Sequence, residues 1–349
     1  MKRRAVRAAT AIAAVSAVAT ACSLSDGAGD TQQTPTVTLV THSSFLAPQE
    51  VLDAFQKQSG IKISVLTQGD AGSLTNKLVL TKANPIGDVA YGVDSTFASR
   101  ALSEGVFEPY TSPEADRGPQ RYAVDPEHRL SAVDVGDVCV NVDTNYFTAK
   151  GIPAPSSYDD LADPKYKDLL VAEDPATASP GLAFLLGTIA KYGEAGWKDY
   201  WTKLKANGVK VVSGWEEAYT KQFSGSSGKG PRPIVVSYAS SPAAEIGDDG
   251  KPRTKALLDT CYRQVEYAGV LANGKQVENA RKVVDFLLSQ QFQATVAANM
   301  YVYPARQGVD LPAGWAQVAP LPQKPQTLPA DQVQAGREKW IGEWRTLLQ

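Results

Sequence analysis

Polar and apolar residues alternate over Thr36-Val-Thr-Leu-Val-Thr41 and again over Ile61-Lys-Ile-Ser-Val-Leu66, which predicts two β-strands buried on alternate positions. Between them Val51, Leu52 and Phe55 recur at helical spacing, so 48–59 reads as a helix and the whole as a β-α-β unit. The alternation continues with a helix over 72–81, a strand at 88–92 and a helix over 95–104. A second series follows, with strands at 169–172, 209–212 and 233–238 and helices over 181–192, 195–206 and 216–223. A strand at 264–271 and helices over 276–289 and 330–348 complete the chain. The pattern is α/β throughout: two lobes, each a mostly parallel sheet flanked by helices, with a hinge between them. Residues 36–137 give the first part of lobe 1, 138–265 lobe 2, and 266–349 the return to lobe 1 with the C-terminal helix. Crossings between lobes are expected near 135–143 and 265–270. Open α/β sheets bind ligands beyond the carboxyl ends of their strands, so two facing lobes make a cleft.

The first 35 residues do not follow this alternation. Lys2, Arg3 and Arg4 precede an Ala/Val-rich run over 8–21, the layout of an export signal, and Ala19-Thr20-Ala21-Cys22 is similar to a bacterial lipoprotein box. Residues 1–21 are then a lipoprotein signal peptide, Cys22 the lipidated residue, and the polar stretch through Pro35 a tether from the outer face of the cytoplasmic membrane. An ordinary secretory signal with a chance cysteine is the alternative. Outside the cytoplasm Cys139 and Cys261, both in strand-like runs, either bridge neighbouring strands or remain buried thiols.

Charge and composition narrow the chemistry. The net charge is −2, and residues 1–21 carry Lys2, Arg3, Arg4 and Arg7 but no acid, so the remainder is more acidic still. That argues against a nucleic-acid partner and favours a cationic ligand. With only two histidines, His42 and His128, a His-rich metal site and a histidine-based triad are disfavoured, and no cofactor or metal is expected. Neither G-x-S-x-G, G-x-G-x-x-G nor a P-loop occurs, so the chain is read as a binding protein rather than an enzyme. No coiled-coil pattern points to anything but a monomer.

Candidate chemistry gathers in loops that follow strands or precede helices. In Glu173-Asp-Pro-Ala-Thr-Ala-Ser-Pro-Gly-Leu182, Ser179 reads as an N-cap with Pro180 at the first helical position, and free amides there with Gly181 would cup a phosphate. A cap without a ligand is the alternative. The turn Gln68-Gly-Asp-Ala-Gly-Ser73 offers the Asp70 carboxylate and the amides of Ala71, Gly72 and Ser73. Gly214-Trp-Glu-Glu-Ala-Tyr219 combines Trp215 and Tyr219 with Glu216 and Glu217, suited to stacking an aromatic cation, or else to core packing. Tyr238 and Ser241 fall at a strand's carboxyl end, and Tyr301 lies in an aromatic turn before Pro304.

These segments, with His42-Ser-Ser-Phe45, Asp88-Val-Ala-Tyr-Gly-Val-Asp94 and Leu311-Pro-Ala-Gly-Trp315, resemble in content and order the thiamine-binding proteins of bacterial ABC importers, within the type II two-lobed solute-binding proteins. The resemblance implies capture of thiamine or a thiamine phosphate and delivery to an import permease with its ATPase. It implies an aminopyrimidine against aromatic faces, a thiazolium near acidic and aromatic groups, and a phosphate on hydroxyls and helix amides. Carried over, Ser179, Gly181 and the 70–73 turn hold the phosphate end, Trp215, Tyr238 and Ser241 the opposite wall, and Ser43 and Ser44 the first cleft loop. The chain departs from the pattern at Ser43, where an Asp is expected, at Ala244, an aromatic, and at Tyr301, a Trp. A receptor of the same fold for ferric iron or a polyamine, or an exported hydrolase, are the competing readings.

Overall fold

A computed structural model describes residues 34–348, so the export signal, Cys22 and most of the tether lie outside the described residues. The first lobe opens with β1 (Thr36–Thr41), α1 (Gln49–Ser59), β2 (Lys62–Thr67), α2 (Ala71–Leu80), β3 (Val89–Asp94), α3 (Ala98–Ser103) and β4 (Ser131–Val135). The second lobe holds β5 (Val138–Asp143), α4 (Thr144–Lys150), α5 (Tyr158–Leu161), β6 (Leu170–Glu173), α6 (Ser179–Ala206), β7 (Lys210–Val212), β8 (Ile234–Tyr238) and β9 (Thr254–Tyr262). The chain returns through β10 (Val265–Val270), α7 (Val277–Leu288), α8 (Gln290–Met300), β11 (Tyr303–Pro304) and α9 (Trp315–Val318), and ends in α10 (Ala330–Leu348).

Both sheets are mixed, ordered β11-β4-β10-β3-β1-β2 and β7-β6-β8-β5-β9. β1 pairs in parallel with β2 and β3, and β6 with β7 and β8, as the β-α-β alternation predicts. β10 runs antiparallel to β3 and β4, and β5 antiparallel to β8 and β9. The reason is connectivity: β10 and β5 each enter their sheet from the other lobe, start at the cleft end, and run against strands whose carboxyl ends point there. Each mostly parallel sheet thus contains one reversed strand for each crossing that enters it, and the edge strand β11 is reversed again.

Burial on both faces explains the apolar strands. Val37 and Leu39 of β1 pack with Phe55, Val283 and Phe286 on one face, while Val40 packs with Leu74 and Leu78 on the other. In the second lobe α6 supplies Leu182, Leu185, Trp197 and Trp201 to the largest core. Gly193 breaks α6 at φ 69°, a left-handed conformation that glycine adopts without penalty, so the two helices read from the sequence are two segments joined at that residue. Trp201 Nε1 donates to Thr188 Oγ1 at 2.9 Å across the break.

The C-terminal helix departs from the expected return to lobe 1. Trp340 and Trp344 of α10 enter the core of the second lobe, where Trp344 meets Trp201 edge-on at 5.4 Å. On its other side Arg100 of α3 reaches Glu338 at 3.0 Å, so α10 spans both lobes. Cys139 of β5 and Cys261 of β9 form a disulfide. Among the described residues no helix is long and apolar enough to cross a membrane.

Candidate ligand-binding cleft

The chain crosses between lobes at Gly136-Asp137 and at Arg263-Gln264. The crossings lie side by side: Gly136 N–H donates to Gln264 O at 3.1 Å and Arg263 Nε to Asp137 Oδ1 at 2.5 Å. The carboxyl ends of β1, β2 and β3 therefore face those of β6, β7 and β8 across a cleft. Two cavities occupy it, an inner one of about 190 Å³ and a wider outer one of about 660 Å³, both bordered by Asp70, Trp215 and Thr220.

The second lobe contributes an aromatic wall. Trp215 and Tyr219 stack with ring centres 4.9 Å apart and planes 15° apart, and Tyr238 lies 6.1 Å from Trp215. Hydrogen bonds within the second lobe fix this wall. Trp215 Nε1 donates to Ser237 Oγ at 2.8 Å, Ser237 Oγ and Ser241 Oγ are 2.8 Å apart, and Tyr238 N–H donates to Ser241 Oγ at 3.1 Å. The Trp215 indole N–H and the Ser237 and Ser241 hydroxyls thus all have partners within the lobe, which holds the indole in place without a ligand. Tyr301 closes the inner cavity from the first lobe and stacks on Trp315 at 6.2 Å.

The first lobe contributes an acidic floor. His42 follows β1 directly and stands over Gly92 of β3, where any Cβ would lie 2.1 Å from the imidazole. Its Nε2 sits 3.3 Å from Glu266 Oε2, and both line the inner cavity. Burial pushes the imidazole pKa down, but the Glu266 carboxylate outweighs it and the net shift is upward. Glu266 is likewise pushed up by burial and pulled below the usual carboxylate range by His42. Beneath this pair Tyr91 Oη donates to Asp134, whose carboxyl is driven well up by burial and by Glu266. Asp94, fully buried, is raised to about 7 by burial despite hydrogen bonds from Thr96.

Asp70 joins the lobes. It caps α2, with Ala71 N–H donating to Oδ1 at 2.7 Å, and accepts from Ser179 N–H at 3.2 Å and Trp215 N–H at 3.0 Å, both in the second lobe. Ser73 N–H donates to Thr177 O at 3.2 Å alongside. Gly72 permits this approach, since a Cβ there would lie 2.8 Å from both the Phe97 ring and the Thr177 carbonyl carbon.

Of the residues read from the sequence, Ser44, Asp70, Ala71, Trp215, Tyr219, Tyr238, Ser241 and Tyr301 converge on the inner cavity. Ser43, Ser73 and Glu217 border the outer one. Gly72, Ser179, Pro180 and Gly181 are buried and line neither. Ser179 is the first residue of α6 rather than its N-cap, which is Ala178, and Pro180 is the second. The Ser179 hydroxyl donates to Asp94 and its amide to Asp70, so the expected phosphate cup is filled by the protein's own carboxylates. Gly181 packs on the Glu173 carbonyl, leaving no room there. Sequence reasoning missed His42 and Glu266 as cavity residues. Their signals were position: His42 ends a buried strand at the cleft, and Glu266 is the lone acid in an apolar strand.

Residues 84–333 match the model of a family described as bacterial extracellular solute-binding protein. The chain belongs to this family. This solute-binding protein is 31% identical over 325 residues to the thiamine-binding periplasmic protein of Salmonella typhimurium, covering 89% of this chain and 93% of that one. It is 28% identical to the thiamine-binding periplasmic protein of Brucella suis, covering 90% and 92%. The solved structure of a periplasmic thiamin binding protein superposes with a TM-score of 0.79 at 28% identity, covering 90% of this chain and 96% of that one. The resemblance read from short motifs thus extends over the whole two-lobed body. Its relatives are binding proteins, in keeping with a cleft that offers stacking faces and carboxylates.

Proposed function

We propose that this solute-binding protein captures thiamine, free or esterified, in the interlobe cleft outside the cytoplasm and hands it to an ABC import permease and its ATPase. The observation that carries the reading is the pairing of the stacked Trp215–Tyr219 wall with Asp70 and Glu266 in one cavity. A flat aromatic cation gains stacking on the first and charge neutralisation from the second, which neither an anion nor an aliphatic solute would draw from both. The similarity to thiamine-binding periplasmic proteins over most of both chains supports the same ligand. The Cys22 box supports a lipid anchor that keeps the protein at the outer face of the cytoplasmic membrane, acting as a monomer.

Calorimetric titration of the purified protein with thiamine, thiamine monophosphate and thiamine diphosphate tests the reading, with ferric citrate and spermidine as controls. One-to-one binding of a thiamine form is the expected result. Heat only from ferric citrate or spermidine would transfer the cleft to that ligand instead.

A further inference from the structure

Two consecutive serines in the turn after β8 serve opposite sides of the inner cavity. Ser241 fixes the wall of the second lobe: its hydroxyl oxygen lies 2.8 Å from Ser237 Oγ, which accepts the Trp215 indole N–H. Ser240 instead crosses the cleft, and its hydroxyl donates to the Tyr301 carbonyl of the first lobe at 2.5 Å. Ser240 is buried and lines neither cavity, whereas Trp215, Ser241 and Tyr301 all line the inner one. Resting on the thiamine reading above, we propose that Ser240 is a positioning residue for ligand capture. It seats the Tyr301 ring against the cavity as the lobes meet, and so sets the distance between the two aromatic faces.

The backbone of Tyr301 is what needs holding. It ends α8 with φ 54° and ψ 40°, a left-handed conformation that a bulky residue keeps only when its surroundings enforce it. On one side the Tyr301 N–H donates to Ala297 O at 3.2 Å, continuing the helix. On the other the carbonyl takes the Ser240 hydroxyl. These two bonds fix the peptide groups flanking the Cα, and with them the direction in which the ring leaves the chain. Packing alone does not do this: the residue is 38% exposed, and its ring stacks on the buried Trp315 indole with planes 13° apart. Ala243, from the same turn as Ser240, packs against the small core of Ala297, Trp315 and Ala319, which brings the second lobe against this stack. Because Ser240 and Tyr301 belong to different lobes, their bond forms only when the lobes come together. Opening the cleft releases the carbonyl, and the ring loses the constraint that aims it. A flat ligand is thus met by an indole already fixed on one side and by a ring aimed during closure on the other.

The test is a mutant cycle between Ser240 and Tyr301 in the intact protein, read by calorimetric titration with thiamine. Ser240→Ala is expected to weaken binding by about tenfold, and by less than about twofold once Tyr301→Ala has removed the ring that Ser240 positions. An equal loss in both backgrounds, or no loss in either, would overturn the proposal and leave thiamine capture standing, since a merely structural serine acts whether or not the ring is there. A second readout needs no ligand. In protein labelled with 3-fluorotyrosine, the Tyr301 fluorine resonance, assigned by its loss in Tyr301→Phe, carries the ring current of the Trp315 indole. It is expected to shift in Ser240→Ala, and an unmoved resonance would overturn the proposal. If the wild-type protein binds no form of thiamine, the thiamine reading falls, and this resonance alone decides whether Ser240 positions the ring.

Discussion

The two sides of the cleft are built on opposite principles. The second lobe presents rings and hydroxyls whose hydrogen bonds close among themselves: Trp215 to Ser237, Ser237 with Ser241, and Tyr219 to Glu245. The first lobe presents buried acids with too few cations. Asp134 Oδ1 is buried without a partner, and the second lobe departs from its closed pattern at Glu173 of β6, whose two carboxylate oxygens are also buried and unpartnered. A satisfied wall costs little in the empty protein, whereas an unmatched buried acid opposes folding until it is protonated or a cation arrives. Shape is therefore prepared in advance on one side, and charge is held in reserve on the other.

The largest expected effect breaks the aromatic wall from behind. Cys139 in β5 and Cys261 in β9 bridge these neighbouring strands, in a small core with Ala239 of the segment following β8. Replacing both with Ser is expected to lower unfolding stability by about 2–5 kcal/mol, since the bridge closes a long loop. Denaturant melting checks this, and an unchanged midpoint would mean that the second lobe does not depend on the bridge. A smaller effect separates binding from folding. Trp215→Ala is expected to weaken thiamine binding by about 1–3 kcal/mol with little change in the thermal midpoint of the empty protein, because the indole is only half-buried. Equal losses in both would make Trp215 a core residue.

The smallest effect concerns the acidic floor and runs with pH. Asp94, raised to about 7 by burial, and Asp137, raised to about 6 by burial against the pull of Arg263, hold more protons folded than unfolded. Their destabilising charge is absent below the ordinary value of 3.8 and grows as pH rises toward those values. His42, raised by Glu266, also loses its contribution as pH rises through its folded value. Glu266, lowered by His42, opposes them and loses its contribution only as pH falls below the ordinary 4.5. The thermal midpoint of the empty protein is thus expected to fall between about pH 5 and about pH 8, and Asp94→Asn to flatten that slope. A midpoint that climbs over this range would show the floor to be better paired than its geometry indicates.

The two sides also differ in how much of them can be read from sequence. Tyr238 ends β8, and Trp215, Tyr219 and Ser241 follow β7 and β8 within a few residues, so local pattern alone places them at the cleft. Ser179 shows the opposite case. A Ser-Pro-Gly before an apolar helix is a sound local reason to expect free amides, but the group that occupies them, Asp70, comes from 109 residues earlier in the chain. His42 and Glu266 are 224 residues apart and meet only because β10 returns next to β3, a pairing that no local pattern announces. The first two strands were legible from the alternation of polar and apolar residues, and β8 from its apolar run Ile234-Val235-Val236. The reversed direction of β5 and β10 was not, since it depends on where the chain re-enters each sheet.

The adjoining crossings have a mechanical consequence. Two chain segments, tied to each other by the Gly136–Gln264 hydrogen bond and the Asp137–Arg263 pair, are joined by a third tie, α10, which sets Trp340 and Trp344 in the second lobe while Glu338 meets Arg100 of the first. Twist and slide would strain both segments at once. Any opening of the cleft must then move all of these ties together, so the lobes are expected to shift as whole bodies rather than by local rearrangement of one loop.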